Sequence, residues 1–289
     1  MNQDEIRARA IALYDHYTHE GRDRRAFLRE LTLLAGGPAA ASALLAGIAA
    51  DPAAAAIVAA DDKRLKTETV AWDSAPGRKM SAYVARAAAG TPGPLIVVIH
   101  ENRGLTEHIR DVARRVALEG FTAVAPDLLT PDGGTPTDED KAREMIGKLD
   151  LAATTKDAQS AFQHFAGKRK AGVVGFCWGG AMVDRLAVAG APHLAAGVSY
   201  YGPAPAPAEA AKVNIPLMMN LAGLDTRVAA TAHPFAEALK ATGKTVIVND
   251  YPDVNHAFNN DTSADRYNEA AASLAWGRTI AFFRQYLKG

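Results

Sequence analysis

The stretch Val173-Val174-Gly175-Phe176-Cys177-Trp178-Gly179-Gly180 constrains this chain more than any other. Residues 171–174 are an apolar run of buried-strand length, and from Trp178 onward Ala181, Met182, Leu186 and Ala187 recur at helical spacing. Cys177 therefore falls on the sharp turn between a strand and a helix, in the pattern G-x-C-x-G, a nucleophile elbow with sulfur in place of oxygen. Glycines two residues before and after let strand and helix approach closely. They push the side chain between them out of the sheet, at a helix N-terminus where the peptide dipoles favour negative charge. A thiol so placed ionises more readily than a free cysteine, whose pKa is about 8.5. A small buried hydrophobe on a closely packed glycine turn has a similar composition. What points to chemistry is that the chain's only cysteine occupies this one position.

The rest of the composition sets bounds. With 289 residues, 48% of them hydrophobic, the chain has material for an α/β domain of about 200 to 250 residues plus an extension. Lys+Arg and Asp+Glu both number 32, which gives no nucleic-acid footprint. A single cysteine excludes an intramolecular disulfide, so stability comes from packing even if the protein is exported. No His, Cys or carboxylate cluster has metal-ligand spacing along the sequence, and no cofactor or metal is expected.

Residues 1–60 read as a helical extension. Ile6, Ala10, Leu13 and Tyr17 predict a short amphipathic helix. Asp23-Arg24-Arg25-Ala26-Phe27-Leu28-Arg29, a weakly apolar run over 31–48 and an alanine-rich stretch with small residues at 54–56 match a twin-arginine export signal with cleavage points. Export machinery is then a partner and the expected location is periplasmic or otherwise outside the cytoplasm. The alternative is a cytoplasmic protein with an ordinary helix bearing two surface arginines. Gly36-Gly37-Pro38 breaks the apolar run, which is no convincing membrane span of about 20 apolar residues.

Residues 61–289 read as the catalytic domain, an α/β fold with a mostly parallel sheet and helices on both faces. Alternation over 66–72 and 79–86, with turn residues at 74–77, predicts an antiparallel hairpin. Continuous apolar runs at 95–99, 121–125, 194–199, 215–221 and 245–249 predict buried parallel strands, and helical spacing is expected around Ile109 to Ala117 and over 138–149, 151–165, 234–240 and 267–287. A Pro/Gly/Thr-rich loop at 128–136 follows a strand's carboxyl end, where open α/β sheets bind ligands.

A nucleophile on an elbow needs a base to take its proton and an acid to orient that base. In α/β hydrolases they follow in the order nucleophile, acid, histidine. Asp225 and His256 fit that order, each just beyond a strand, so Cys177, Asp225 and His256 are the candidate triad. The oxyanion hole is assigned to the backbone N–H groups of Trp178 and Asn102. Glu101 lies close enough to the thiol to oppose its ionisation unless turned away or protonated. His100 ends a buried strand and is expected to hydrogen-bond locally, whereas His16, His19, His108, His164, His193 and His233 read as surface residues.

His100-Glu101-Asn102-Arg103-Gly104, the elbow, the Asp225 loop and His256-Ala257-Phe258 together resemble the dienelactone hydrolase family, the carboxymethylenebutenolidases, over residues 65–287. The resemblance implies the α/β-hydrolase fold, the Cys177, Asp225 and His256 triad, Glu101 as governor of thiol ionisation, and lactone opening through a thioester. It also implies two arginines that hold a substrate carboxylate, and the matching positions here are Pro131 and Asn260. Proline and asparagine cannot supply charge-assisted bidentate bonds. With Arg103 and Tyr201 they are the candidates for the substrate pocket. The expected function is cysteine-dependent hydrolysis of a small-molecule ester or lactone that is neutral, larger or held differently. Thioesterase or acyl-transfer chemistry on the same triad, or non-catalytic ligand binding, are the alternatives.

Overall fold

The computed structural model describes residues 1–20, 22–49, 51 and 56–288. Of the proposed cleavage positions, Ala54 and Ala55 lie outside the described residues. Three helices come first: α1 (Gln3–His19), α2 (Arg24–Ala35) and α3 (Pro38–Ile48). The sheet-bearing portion follows as β1 (Leu65–Ala75), β2 (Arg78–Ala87), β3 (Leu95–Ile99), α4 (Glu107–Leu118), β4 (Thr122–Asp127), α5 (Glu139–Gly147) and α6 (Leu151–Phe165). It continues as β5 (Ala171–Phe176), α7 (Trp178–Val188), β6 (Leu194–Tyr200), β7 (Leu217–Ala222), α8 (Thr226–Ala241), β8 (Val246–Tyr251) and α9 (Glu269–Tyr286).

The strands form one eight-stranded sheet in the order β1-β2-β4-β3-β5-β6-β7-β8. β1 and β2 form the expected antiparallel hairpin, β2 joins β4 antiparallel, and every later pairing is parallel. Continuous apolar strands are what a sheet covered on both faces requires, because successive side chains point to opposite sides. In β3, Ile96 and Val98 enter one core with α4 and α9, while Leu95, Val97 and Ile99 enter the other with α6, α7 and α8. Each such side chain contributes roughly 1.5–3 kcal/mol through burial.

One helix is longer than its sequence suggests. α8 begins at Thr226 rather than at Pro234, which lies inside it, because Asp225 caps the helix by accepting from the Val228 N–H at 3.1 Å. A proline removes one helical hydrogen bond, and the cap and the buried Val228, Ala232 and Phe235 outweigh that loss.

The first three helices fold onto one another. Asn2 and Glu5 form a reciprocal capping box at the start of α1, and Asp23 caps α2. Gly36, at φ 80°, ends α2, and Pro38 opens α3, so the two helices meet at 109°. Among the described residues no single helix is long and apolar enough to cross a membrane. Ala10, Ile11, Tyr14, Tyr17, Phe27, Leu31, Ala41 and Ile48 form an apolar cluster confined to these helices, with Tyr17 stacked on Phe27 at 4.5 Å.

Polar bonds attach this small unit to the sheet-bearing portion. Ile48 O accepts from Ser263 Oγ at 2.6 Å and from Arg266 Nε at 3.0 Å, and Gly47 O accepts from the Asp265 N–H at 2.9 Å. Arg266 also faces Asp15 at 3.6 Å and lies over the Tyr14 ring. Asp140 pairs with Arg24 and accepts from Tyr17 Oη at 3.3 Å, and Arg143 covers the Tyr17 ring at 4.2 Å. A neutral bond of this kind contributes a net of about 1 kcal/mol and one to a charged group about 1.5–3 kcal/mol.

Candidate active site

The elbow has the geometry its spacing predicts. Cys177 links β5 to α7 at φ 56° and ψ −116°, with its N–H donating to Tyr200 O at 2.9 Å. This is a left-handed backbone that non-glycine residues adopt at a cost. The flanking glycines are required sterically. A Cβ at Gly175 would lie 2.1 Å from Gly179 O, and one at Gly179 would lie 2.5 Å from the carbonyl oxygens of Ile99 and His100. Only bare backbone permits β5, α7 and the end of β3 to meet so closely.

Asp225 stands in the turn between β7 and α8 and His256 in the loop after β8, so parallel strands bring both to the sheet edge that carries Cys177. His256 Nδ1 donates to Asp225 Oδ2 at 2.6 Å. Burial drives the His256 imidazole toward neutrality, but the Cys177 sulfur and the Asp225 carboxylate outweigh it and raise its pKa to about 10. Burial likewise pushes Asp225 up, and the His256 hydrogen bond and charge with Arg227 more than reverse it, to about 2. The sulfur exerts its pull on His256 only as a thiolate, so Cys177 and His256 share one proton, which sits either on the sulfur beside a neutral imidazole or on the imidazole beside a thiolate. Tyr201, a fully buried residue, packs its ring 5.0 Å from His256. It is neutral because burial holds its hydroxyl well above 10.0.

The sulfur's hydrogen-bond partner comes from a residue that reads as surface in the sequence. His19, the last residue of α1, places Nε2 3.1 Å from Cys177 Sγ and its ring 4.5 Å from that of His256. Its Nδ1 lies 2.9 Å from Asp15 O, and because a carbonyl oxygen only accepts, Nδ1 carries the proton and Nε2 turns a lone pair to the sulfur. Burial, then the charge of His256, holds His19 well below 6.5, so it is neutral. His256 Nε2 is buried and without a hydrogen-bond partner. His108 also departs from its surface reading, being buried against Asp261 at 2.9 Å.

The other candidates divide into those that meet Cys177 and those that do not. Glu101, Asn102 and Arg103 line the same small pocket as Cys177 and His256, and Trp178 opens α7 directly after the sulfur-bearing residue. Two of them are engaged by α1: Asn102 Nδ2 donates to Thr18 O at 3.2 Å, and Arg103 donates to Tyr14 Oη while its Nε pairs with Glu139 at 3.0 Å. Arg103 is therefore already partnered on both sides rather than free for a substrate. Asn260 Nδ2 donates to Glu101 Oε2 at 2.9 Å and so fixes that carboxylate. Pro131 lies in the short 3₁₀ turn Thr130–Asp132 and lines neither the pocket at Cys177 nor the cavity next to it. His100 is consumed locally as expected, donating to Glu101 O at 2.7 Å, accepting from the Leu128 N–H at 3.2 Å and stacking on Trp178.

Space at the sulfur is the decisive quantity. The pocket shared by Cys177, His256, His19, Tyr14 and Thr18 has a volume of about 10 Å³, room for about one water. A larger cavity of about 320 Å³ lies alongside, bordered by Glu101, Arg103, Thr135, Glu139 and Asn260. With α1 docked, no ester fits at Cys177. Sequence spacing could not show this, since His19 and Cys177 are 158 residues apart.

Residues 80–287 match the dienelactone hydrolase family. A Salmonella typhi protein provisionally named a carboxymethylenebutenolidase is 33% identical over 230 residues, covering 73% of this chain and 84% of the relative. A Methylorubrum extorquens protein of the same provisional name is 34% identical over 224 residues, 71% of this chain and 76% of the relative. A Klebsiella pneumoniae crystal structure provisionally described as a dienelactone hydrolase superposes with a TM-score of 0.67 at 30% identity, covering 77% of this chain and 99% of that one. Together with an α/β-hydrolase sheet whose elbow carries a cysteine, these matches lead to one conclusion: the chain belongs to the dienelactone hydrolase family.

Proposed function

We propose that the protein hydrolyses ester or lactone bonds through a thioester on Cys177 and that α1 must move before it can do so. Family membership supports a hydrolase of such bonds. The observation that carries the mechanism is the cysteine on a left-handed elbow beside a histidine held by a carboxylate at 2.6 Å. The sulfur attacks the carbonyl carbon and the carbonyl oxygen becomes an oxyanion, received by the backbone N–H groups of Trp178 and Asn102. The thiol proton passes to His256, which delivers it to the leaving oxygen as the carbon–oxygen bond breaks. Water then attacks the thioester with His256 as base, releasing the acid and restoring the thiol. Asp225 orients the imidazole throughout, and Glu101, held by Asn260, sets the cost of ionising the thiol.

Recognition should favour substrates without a carboxylate. Arg103 is occupied by Glu139 and Tyr14, Asn260 by Glu101, and Pro131 stands apart from the pocket. In a panel of matched esters and lactones, the neutral members are expected to give kcat/KM at least about tenfold above their carboxylated counterparts, the effect of about 1.4 kcal/mol of missing ion pairing. Equal or reversed values would reject this reading of the pocket.

We also propose export, on the sequence Arg24-Arg25-Ala26-Phe27 and the apolar run behind it. Replacing both arginines with lysine is expected to retain the protein in the cytoplasmic fraction. Unchanged fractionation would count against a twin-arginine route.

A further inference from the structure

The donor atoms around the sulfur share one proton too few. Cys177 Sγ, His19 Nε2 and an Nε2 of His256 without a hydrogen-bond partner are turned toward one another, and the ligand atoms of the three residues lie within 4.8 Å of each other. Both imidazoles have committed Nδ1–H to an oxygen, Asp15 O at 2.9 Å and Asp225 Oδ2 at 2.6 Å. That leaves a sulfur and two ring nitrogens with a single proton among them, so at least one buried lone pair has no partner. A divalent cation would engage all three at once.

We propose that His19, Cys177 and His256 form a zinc-class metal site that exists only while α1 is docked. Two imidazoles and a thiolate are a donor set suited to zinc, and tetrahedral bonds of about 2.0–2.3 Å place such donors roughly 3.5 Å apart. Here His19 Nε2 lies 3.1 Å from the sulfur and all three donors lie within 4.8 Å of one another. The hydrogen bonds on the far sides of both rings are the outer contacts that orient metal-binding histidines. Bound there, the metal displaces the thiol proton to solvent, occupies the sulfur's attacking lone pair and ties α1 across the elbow. Zinc is thus a reversible inhibitor that works by closing the enzyme.

The test reads ligation and not turnover, so it stands or falls separately from the hydrolase reading. Cobalt(II) added to the full-length protein is expected to give tetrahedral d–d bands and a sulfur-to-cobalt charge-transfer band, both displaced by zinc. Cys177→Ser should lose the charge-transfer band, His19→Ala should weaken zinc binding by about tenfold or more, and His16→Ala, on the exposed side of α1, should bind as the wild type does. His19→Gln, which keeps a polar side chain under the helix, checks that the effect is loss of a ligand rather than of the fold. Absence of the charge-transfer band in the wild type would overturn the proposal. So would unchanged zinc affinity in both His19 variants.

Discussion

Cys177→Ala is expected to lower ester hydrolysis by about 10⁴-fold or more, the loss that follows removal of a nucleophile from a triad whose members act as a unit. The argument is chemical: every step of the proposed cycle uses the sulfur as attacking or leaving group, and no other thiol exists in the chain to replace it. Structure survives the change. Alanine meets the same φ of 56° as cysteine, loses only one atom from a buried position, and leaves the Asp225–His256 hydrogen bond in place. The measurement is kcat/KM on a chromogenic ester beside a thermal melt. A variant that melts like the wild type and retains its rate would show that Cys177 is a packed residue, not a nucleophile.

Loosening α1 is expected to work in the opposite direction. His19→Ala removes the imidazole that meets the sulfur at 3.1 Å, and Tyr14→Phe removes the hydroxyl that Arg103 holds. A neutral hydrogen bond contributes about 1 kcal/mol and a charged one about 1.5–3 kcal/mol, so the double variant should shift the balance toward the open form by about 60- to 700-fold. Alkylation by iodoacetamide reads this directly, because the single cysteine means that any label reports the elbow. Both the alkylation rate and ester turnover are expected to rise. If both fell, His19 would be assisting the thiol rather than covering it, and if neither changed, α1 would not be the barrier.

Much of the catalytic portion was legible because its signals are local. Gly175 and Gly179 declare a close strand–helix turn by themselves, and the short apolar strands separated by helical stretches predict a parallel sheet covered on both faces. The order of Cys177, Asp225 and His256 followed because each stands just after a strand, and parallel strands place such positions on one edge. The start of α8 was not legible, since Pro234 is the strongest local signal while the cap that matters is Asp225. His19 and His108 read as surface residues because their neighbours on the helix are polar. What buries them is another part of the chain.

The contrast is sharpest at the elbow. The sequence by itself determined the turn, the sulfur on it, and the acid and histidine that meet there, because backbone sterics and strand order act over short stretches or through a repeated topology. Only the tertiary structure decided what covers that sulfur. Three helices whose apolar residues satisfy one another are set against the sheet edge by Arg266, Asn102, Arg103 and Asp140, and they bring His19 to Cys177. Those bonds join residues far apart in the chain, and their partners have no periodicity or spacing to betray them. The side chains of Asn102 and Arg103 thus hold a helix, for the physical reason that a buried guanidinium or amide takes whichever partner the fold places within reach.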